Sequence, residues 1–242
     1  MQSRLVRMPP DTLNACEHTE QDGTDCNTVS FPVALTRTRL DMLRTLLAIA
    51  CLTPLAAAAL PAAALAQAAD PALSTVEELD AGLLRTMRTG GTPQARSKVI
   101  APVLERTFDL GLMTRLAVGP EWVKQSPADQ QALVDAFKRM TIAQYARNFD
   151  SFGGESFEVS PRVETRGGDK VVRTTLKIPK DAPVAIAYRL RQSGGSWKII
   201  DVFYKNAISQ IATRRSDFGT VLQKGGAKAL VARMNAIAAK GE

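Results

Sequence analysis

Val184-Ala185-Ile186-Ala187-Tyr188-Arg189-Leu190-Arg191 alternates large apolar residues with small or charged ones, and after Ser193-Gly194-Gly195 the chain resumes as Trp197-Lys198-Ile199-Ile200-Asp201-Val202-Phe203. A period of two places Val184, Ile186, Tyr188 and Leu190 on one face of a half-buried strand. The glycine pair between the runs leaves room only for a hairpin, so the two strands are antiparallel. Upstream, Val171 to Ile178 reads as a further strand closed by Pro179, and Gly167-Gly168-Asp169 turns it back on a first run carrying Phe157, Val159 and Val163. The result is a meander of four antiparallel strands.

On both sides of this block the apolar period lengthens to that of a helix. Ser74-Thr75-Val76-Glu77 has the form of a capping box. Behind it Val76, Leu79, Leu83, Leu84 and Met87 share a stripe that Gly90-Gly91 ends. A second helix after Pro93 carries Val99, Ile100, Val103, Leu104 and Phe108, and a short third one spans Phe108 to Leu116 before Gly119-Pro120. Ser126-Pro127 supplies an N-cap followed by proline at the first helical position. It opens the longest helix, whose stripe reads Leu133, Val134, Phe137, Met140, Tyr145 and Phe149. After the sheet, Ile208, Ile211, Phe218, Val221 and Leu222 form a stripe, Gly225-Gly226 breaks it, and a last helix covers Ala227 to Ala239. Helices, an antiparallel sheet and helices again make an α+β layout with the helices on one sheet face.

The N-terminal part reads as targeting sequence. Arg37, Arg39 and Arg44 precede the apolar run Leu46-Leu47-Ala48-Ile49-Ala50-Cys51-Leu52, which closes at Ala64-Leu65-Ala66 or Ala66-Gln67-Ala68. A basic start, an apolar middle and a small-residue exit are the parts of a secretory signal peptide. Residues 42–69 are expected to be that peptide, cleaved on export to a periplasm. Residues 1–41 are polar and aperiodic and read as an over-extended or disordered N-terminus before Met42-Leu43-Arg44, and residues 70–242 read as a single domain. Cys51 lies too early in the apolar run for a lipid anchor.

Cys16, Cys26, Cys51 and His18 are the only residues of their kinds, and all precede position 52. A chain processed near Gln67 has no thiol nucleophile, no histidine base and no ordinary zinc ligands. No metal site, cofactor or catalytic residue is expected, and no G-x-S-x-G elbow or phosphate-binding glycine loop occurs. Residues 1–66 hold five basic and six acidic residues, so the formal net charge rises from +7 for the full chain to +8 from Gln67. That charge favours solubility and transient contact with anionic headgroups or acidic partners. Nucleic acid is not expected, because aromatic and basic residues do not interleave.

Glu77, Glu78 and Asp80 are read as first-turn acids complementing a helix dipole, and Asp201 as a buried carboxylate paired with Arg189 or Arg191 across the hairpin. What remains is apolar surface, which either fills a core or lines a pocket between sheet and helices. In the pocket reading Val184, Ile186, Tyr188 and Leu190 form one wall, with Trp197 joining from the paired strand. Phe137, Tyr145 and Phe149 form the opposite wall. Each methylene taken from water contributes about 0.8 kcal/mol, so one acyl tail brings on the order of ten.

The hairpin Val184 to Leu190 followed by Gly195-Ser196-Trp197-Lys198-Ile199-Ile200-Asp201-Val202 resembles the "V-x-Y-x-L … G-x-W-K-I-x-D-V" hairpin of the MlaC family, periplasmic phospholipid-binding proteins once called toluene-tolerance proteins. Ile208-Ser209, Arg214-Arg215-Ser216-Asp217-Phe218 and Gly225-Gly226 resemble its "S…Y-R-x-x-F…G" helix, and Phe108-Asp109, Trp122 and Gln130-Gln131…Phe137 follow its helical half in order. Two departures, Tyr204-Lys205-Asn206-Ala207-Ile208-Ser209 in place of the "G-V-S" element and Thr213-Arg214-Arg215 in place of "x-Y-R", look closer to the hopanoid-associated HpnM branch. The resemblance implies an NTF2-like or cystatin-like twisted sheet wrapped by helices around a lipid cavity. It implies a non-enzymatic carrier of phospholipid or hopanoid, docking to an inner-membrane transporter linked to an ABC or RND system and to an outer-membrane acceptor complex. The alternative is an envelope adaptor that binds proteins through its basic surface and has a filled core.

Overall fold

A computed structural model describes residues 70–240; the expected signal peptide and the segment before it lie outside the described residues. The chain runs through helices α1 (Pro71–Thr89), α2 (Pro93–Thr107) and α3 (Leu110–Val118), a 3-10 segment (Gly119–Lys124) and α4 (Pro127–Asn148). Six strands follow, β1 (Ser156–Val159), β2 (Glu164–Arg166), β3 (Asp169–Lys177), β4 (Val184–Ser193), β5 (Ser196–Tyr204) and β6 (Ile208–Ser209), and α5 (Gln210–Ala239) ends the described chain. Every strand pairing is antiparallel, in the order β1-β3-β4-β5-β6, with β2 also on β3.

Six strands replace the expected four, and both additions have local causes. The run through Phe157, Val159 and Val163 is not one strand: β1 pairs with Thr174–Lys177 and β2 with Asp169–Val171, and Val163 belongs to neither. Pro161 lies between them, with no N–H to extend a ladder. Ile208, expected on the last helical stripe, instead pairs with Tyr204 in β6 and is exposed. Lys205 and Asn206, both at positive φ, make the tight turn that returns the chain there.

Helix α1 starts at Pro71, not at Ser74. Asp70 Oδ1 accepts from Ala72 N at 2.9 Å and Pro71 takes the first helical position, so Ser74 and Glu77 lie inside the helix and form no capping box. Asp70 also receives Lys170 Nζ at 2.6 Å, which ties this end to β3. Gly82 lets α1 approach α2, since a Cβ there would stand 2.6 Å from Val103 Cγ1. The Ser126 N-cap and Pro127 start of α4 are as expected. Gly226, at φ +66°, kinks α5 at the expected break while the helix carries on to Ala239.

A bulge decides how the sheet meets its helices. Arg189 pairs with Asp201 but Leu190 with Ile199, so Ile200 is an extra residue on β5. The insertion turns Ile199 and Trp197 to the same face as Leu190 and Tyr188, against the helices. Although Arg189 and Asp201 stand opposite each other in the ladder, the Asp201 side chain pairs with neither Arg189 nor Arg191. Its Oδ1 accepts Val202 N at 2.8 Å and Ile211 N at 3.1 Å, and Ser209 Oγ donates to its Oδ2 at 2.6 Å. The two arginines converge instead on Asp169: Arg191 Nε lies 2.6 Å from Oδ1 and Arg189 Nε 2.6 Å from Oδ2. Hydrogen bonds from Arg191 and then Arg189 hold the Asp169 carboxyl below the usual range. Asp201 is thus a clasp between β5 and the first turn of α5. Asp201→Ala is expected to lower unfolding stability by about 2–4 kcal/mol with the urea m-value unchanged, because it orphans two buried amides; a loss under about 0.5 kcal/mol contradicts the clasp.

Candidate functional site

A cavity of about 110 Å³ lies between the sheet and the helices. Its sheet wall is Leu176, Ile186, Tyr188, Val202 and Tyr204, three neighbouring strands joined at Thr174↔Ile186, Ile186↔Tyr204 and Tyr188↔Val202. Facing it, α4 contributes Phe137, Thr141, Gln144, Tyr145 and Asn148, a stripe at helical spacing, with Phe149 as its C-cap. Leu83 of α1, Phe108, Met113 of α3, and Gln210, Ile211 and Arg214 of α5 complete the lining.

Of the residues expected to line a pocket, Ile186, Tyr188, Phe137, Tyr145 and Phe149 border this one, and Val184, Leu190 and Trp197 do not. Leu190 is buried on the correct face but lies beyond the cavity, in the packed part of the core. Val184 ends the strand on the other side. Trp197 shares the face and fails by position along the strand: its ring receives Lys170 Nζ at 4.4 Å from the centroid and its carbonyl accepts Thr75 Oγ1 at 2.9 Å, so it fastens the start of α1.

The apolar side of the cavity is built on aromatic contacts. Phe108 meets Tyr145 edge-on at 5.6 Å between centroids, Tyr145 stacks on Phe149 at 5.8 Å, and Phe137 meets Phe218 edge-on at 6.4 Å. Such pairs fix ring positions while leaving apolar faces open. Burial raises the hydroxyl pKa of both Tyr145 and Tyr188, keeping them neutral.

The polar side includes two residues that the sequence reading passed over. Arg214 borders the cavity from α5, with Nη2 2.6 Å from Gln144 Oε1, Nη1 3.7 Å from Met140 Sδ and its guanidinium carbon 5.7 Å from the Phe137 centroid. Thr141 is buried and its hydroxyl has no hydrogen-bond partner among the described residues. The available signal for Arg214 was its position: Ile211, Arg214, Phe218 and Leu222 are spaced three, four and four apart, a charge standing in an apolar stripe.

Asp80 follows the same rule and corrects another reading. It lies in the third turn of α1, not the first, and is 4% exposed. Its Oδ1 has no partner, and its Oδ2 lies 3.2 Å from Thr174 Oγ1, which is also 3.1 Å from the Glu158 carbonyl oxygen. Thr174 has one proton. If it donates to Glu158, a protonated Asp80 donates to Thr174, and each of the two protons has an acceptor. Burial, with a small push from Glu77, raises the Asp80 carboxyl to about 7. Among the described residues, no cluster of three or more His, Cys, Asp or Glu could hold a metal ion, and no helix is long and apolar enough to cross a membrane.

The family described as MlaC protein matches residues 77–236. Among solved structures, the phospholipid-binding protein from Ralstonia solanacearum, determined in complex with a phospholipid at 1.53 Å, is 27% identical. The match covers 70% of this chain and 97% of that one, with a TM-score of 0.62.

The Asp80 carboxyl makes a test of the site's electrostatics. Its folded pKa of about 7 stands well above the ordinary aspartate value of 3.8. Between these values the native state keeps a proton that the unfolded state has lost, so stability falls as pH rises from about 4 to 7 and then levels. Asp80→Asn removes this group's contribution to the slope. The variant is expected to gain about 2–4 kcal/mol over the parent between pH 4 and pH 8 in urea unfolding. A difference between the two proteins that does not change with pH contradicts the assignment.

Proposed function

Because this chain belongs to the MlaC family, whose matched region spans α1 to α5, we propose that it binds phospholipid and carries it between membranes, with acyl tail held in the cavity between the sheet and α4. The observation that carries the reading is the cavity: an apolar wall formed by three strands and an aromatic helix face, placed within the region matched to the family. It also favours the carrier over the alternative of an envelope adaptor with a filled core. The Ralstonia relative was solved with a phospholipid, which supports the same class of cargo here. The HpnM-like departures around residues 204–215 keep a hopanoid as the finer alternative within that class.

Binding in this reading is physical. Water leaves the lining and the tail together, and the gain grows with each methylene buried. At about 110 Å³ the cavity is below the 300–1,000 Å³ of ordinary ligand pockets, so loading separates the α4 wall from the sheet. Nothing covalent is required, and no residue is assigned a catalytic role.

The finer parts of the proposal follow from the sequence. Export through the segment 42–69 places the protein in a periplasm. The positive charge of the mature chain suits brief contact with anionic membrane surfaces and with a transporter at the inner membrane and an acceptor complex at the outer one. Protein recovered from the periplasmic fraction is expected to begin near Gln67 or Ala69 and to release phospholipid on solvent extraction, detected by mass spectrometry at about one molecule per chain. Lipid-free protein from that fraction, or an intact Met1 or Met42 end, contradicts the corresponding half of the proposal.

A further inference from the structure

Among the described residues Arg214 is a cation without an anion. The guanidinium offers five N–H groups, and the structure gives acceptors to two of them, one being the weak thioether of Met140. No carboxylate forms an ion pair with it among the described residues. Desolvation, the largest cause, lowers the Arg214 pKa, and it is opposed first by Tyr145 and then by Asp217, which is exposed and one helical turn away. The other acids near α5 and the cavity are committed elsewhere: Asp201 to the helix amides and Ser209, Asp80 to Thr174. The two tyrosines, held neutral, supply no counter-charge.

A charged group placed in such surroundings is costly unless something pairs with it. Here the surroundings are the lining of the lipid cavity itself, and a second unpaired group stands beside it. Arg214 reaches Met140 and Gln144 on α4, and Thr141 occupies the same turn with a buried hydroxyl that bonds nothing. Both residues border the cavity. An arginine N–H fork and a hydroxyl donor on one stretch of wall match an oxyanion, which accepts from both. The Phe137 ring lies under the guanidinium, with 5.7 Å to the ring centroid, an attraction that favours the charged form there. In the sequence, Arg214 falls in the segment where Thr213-Arg214-Arg215 departs from the "x-Y-R" pattern.

We infer that Arg214 and Thr141 form an oxyanion-binding pair inside the cavity, which selects acyl lipids whose head is a phosphate or a carboxylate over neutral lipids with the same tail. The inference rests on the carrier reading and adds the head-group chemistry to it. It places the anionic head at the Gln144–Arg214 end of the cavity, with the tail running toward Phe108, Leu83 and Leu176.

The test uses the full processed chain, freed of lipid and loaded with the neutral fluorophore N-phenyl-1-naphthylamine. Displacement is measured with two matched pairs, palmitate against hexadecanol and palmitoyl lysophosphatidic acid against monopalmitoylglycerol. At least one acid is expected to displace the probe at about tenfold lower concentration than its neutral partner, and the pair with the larger gap identifies carboxylate or phosphate as the head. Arg214→Gln should close that gap to within about twofold, and Arg214→Lys, which keeps the charge but not the fork, should keep part of it. If Arg214→Gln does not fold, Thr141→Val, which changes only the donor, must narrow the gap by itself. Equal displacement by acid and neutral lipid in the parent protein overturns the inference and leaves the carrier reading standing, as does a gap that survives in Arg214→Gln. Failure of every acyl ligand to bind defeats both.

Discussion

The carboxylate of Asp201 joins β5, part of the cavity's sheet wall, to β6 and to the first turn of α5, which also borders the cavity. It sits at the β5 bulge, accepts the amide of Val202 beside it, and reaches past β6 to the amide of Ile211 and the hydroxyl of Ser209. A helix N-terminus has amides with no partners of their own. By serving one of them from the sheet, Asp201 sets the angle at which α5 leaves. That angle brings Gln210, Ile211 and Arg214 to the cavity. The bulge works in the other direction along β5, turning Ile199 and Trp197 toward the helices so that one end of the sheet face is packed while the other is open.

The same sheet face therefore has two characters. Around Leu190 and Ile199 it is closed by α1, α2 and the Phe108 bridge to Ile199, and side chains there are fully buried. Around Ile186, Val202 and Tyr204 it is spanned by α4 and α5, whose inward residues are aromatic or polar and leave a gap. Close packing at one end gives rigidity; incomplete packing at the other provides room, at the cost of the contacts that a filled core would make. Two buried side-chain oxygens without partners, Asp80 Oδ1 and Thr141 Oγ1, occur among the described residues. Thr141 borders the gap, while Asp80 serves the β3 side of α1.

Much of this was legible from residue patterns. The alternation through Val184, Ile186, Tyr188 and Leu190 reads directly as β4, and Ser126-Pro127 marks the start of α4 to the residue. Periodicity names the face of a strand but not the position along it at which packing gives way, which is why Leu190 and Trp197 were grouped with Ile186. The bulge at Ile200 does set Asp201 opposite Arg189, but register does not say where a side chain bonds: Asp201 turns to Ser209 and the amides of Val202 and Ile211, and both arginines reach Asp169 on β3. Asp80 and Arg214 were legible in principle, since each interrupts an apolar stripe. Placing the N-cap at Ser74, four residues after the actual Asp70, brings Glu77 and Glu78 into a first turn, but Asp80 lies beyond the first turn on either start.

The central claim is that an acyl tail occupies the gap between β4–β5 and α4. Tryptophan emission quenched by a phospholipid with brominated tails reports that contact directly. The native Trp122 and Trp197 do not border the cavity, whereas Phe149 does. On loading with the brominated lipid, the added emission of Phe149→Trp is expected to be largely lost while the two native tryptophans keep theirs. Equal quenching of all three, or none at position 149, contradicts the placement of the tail.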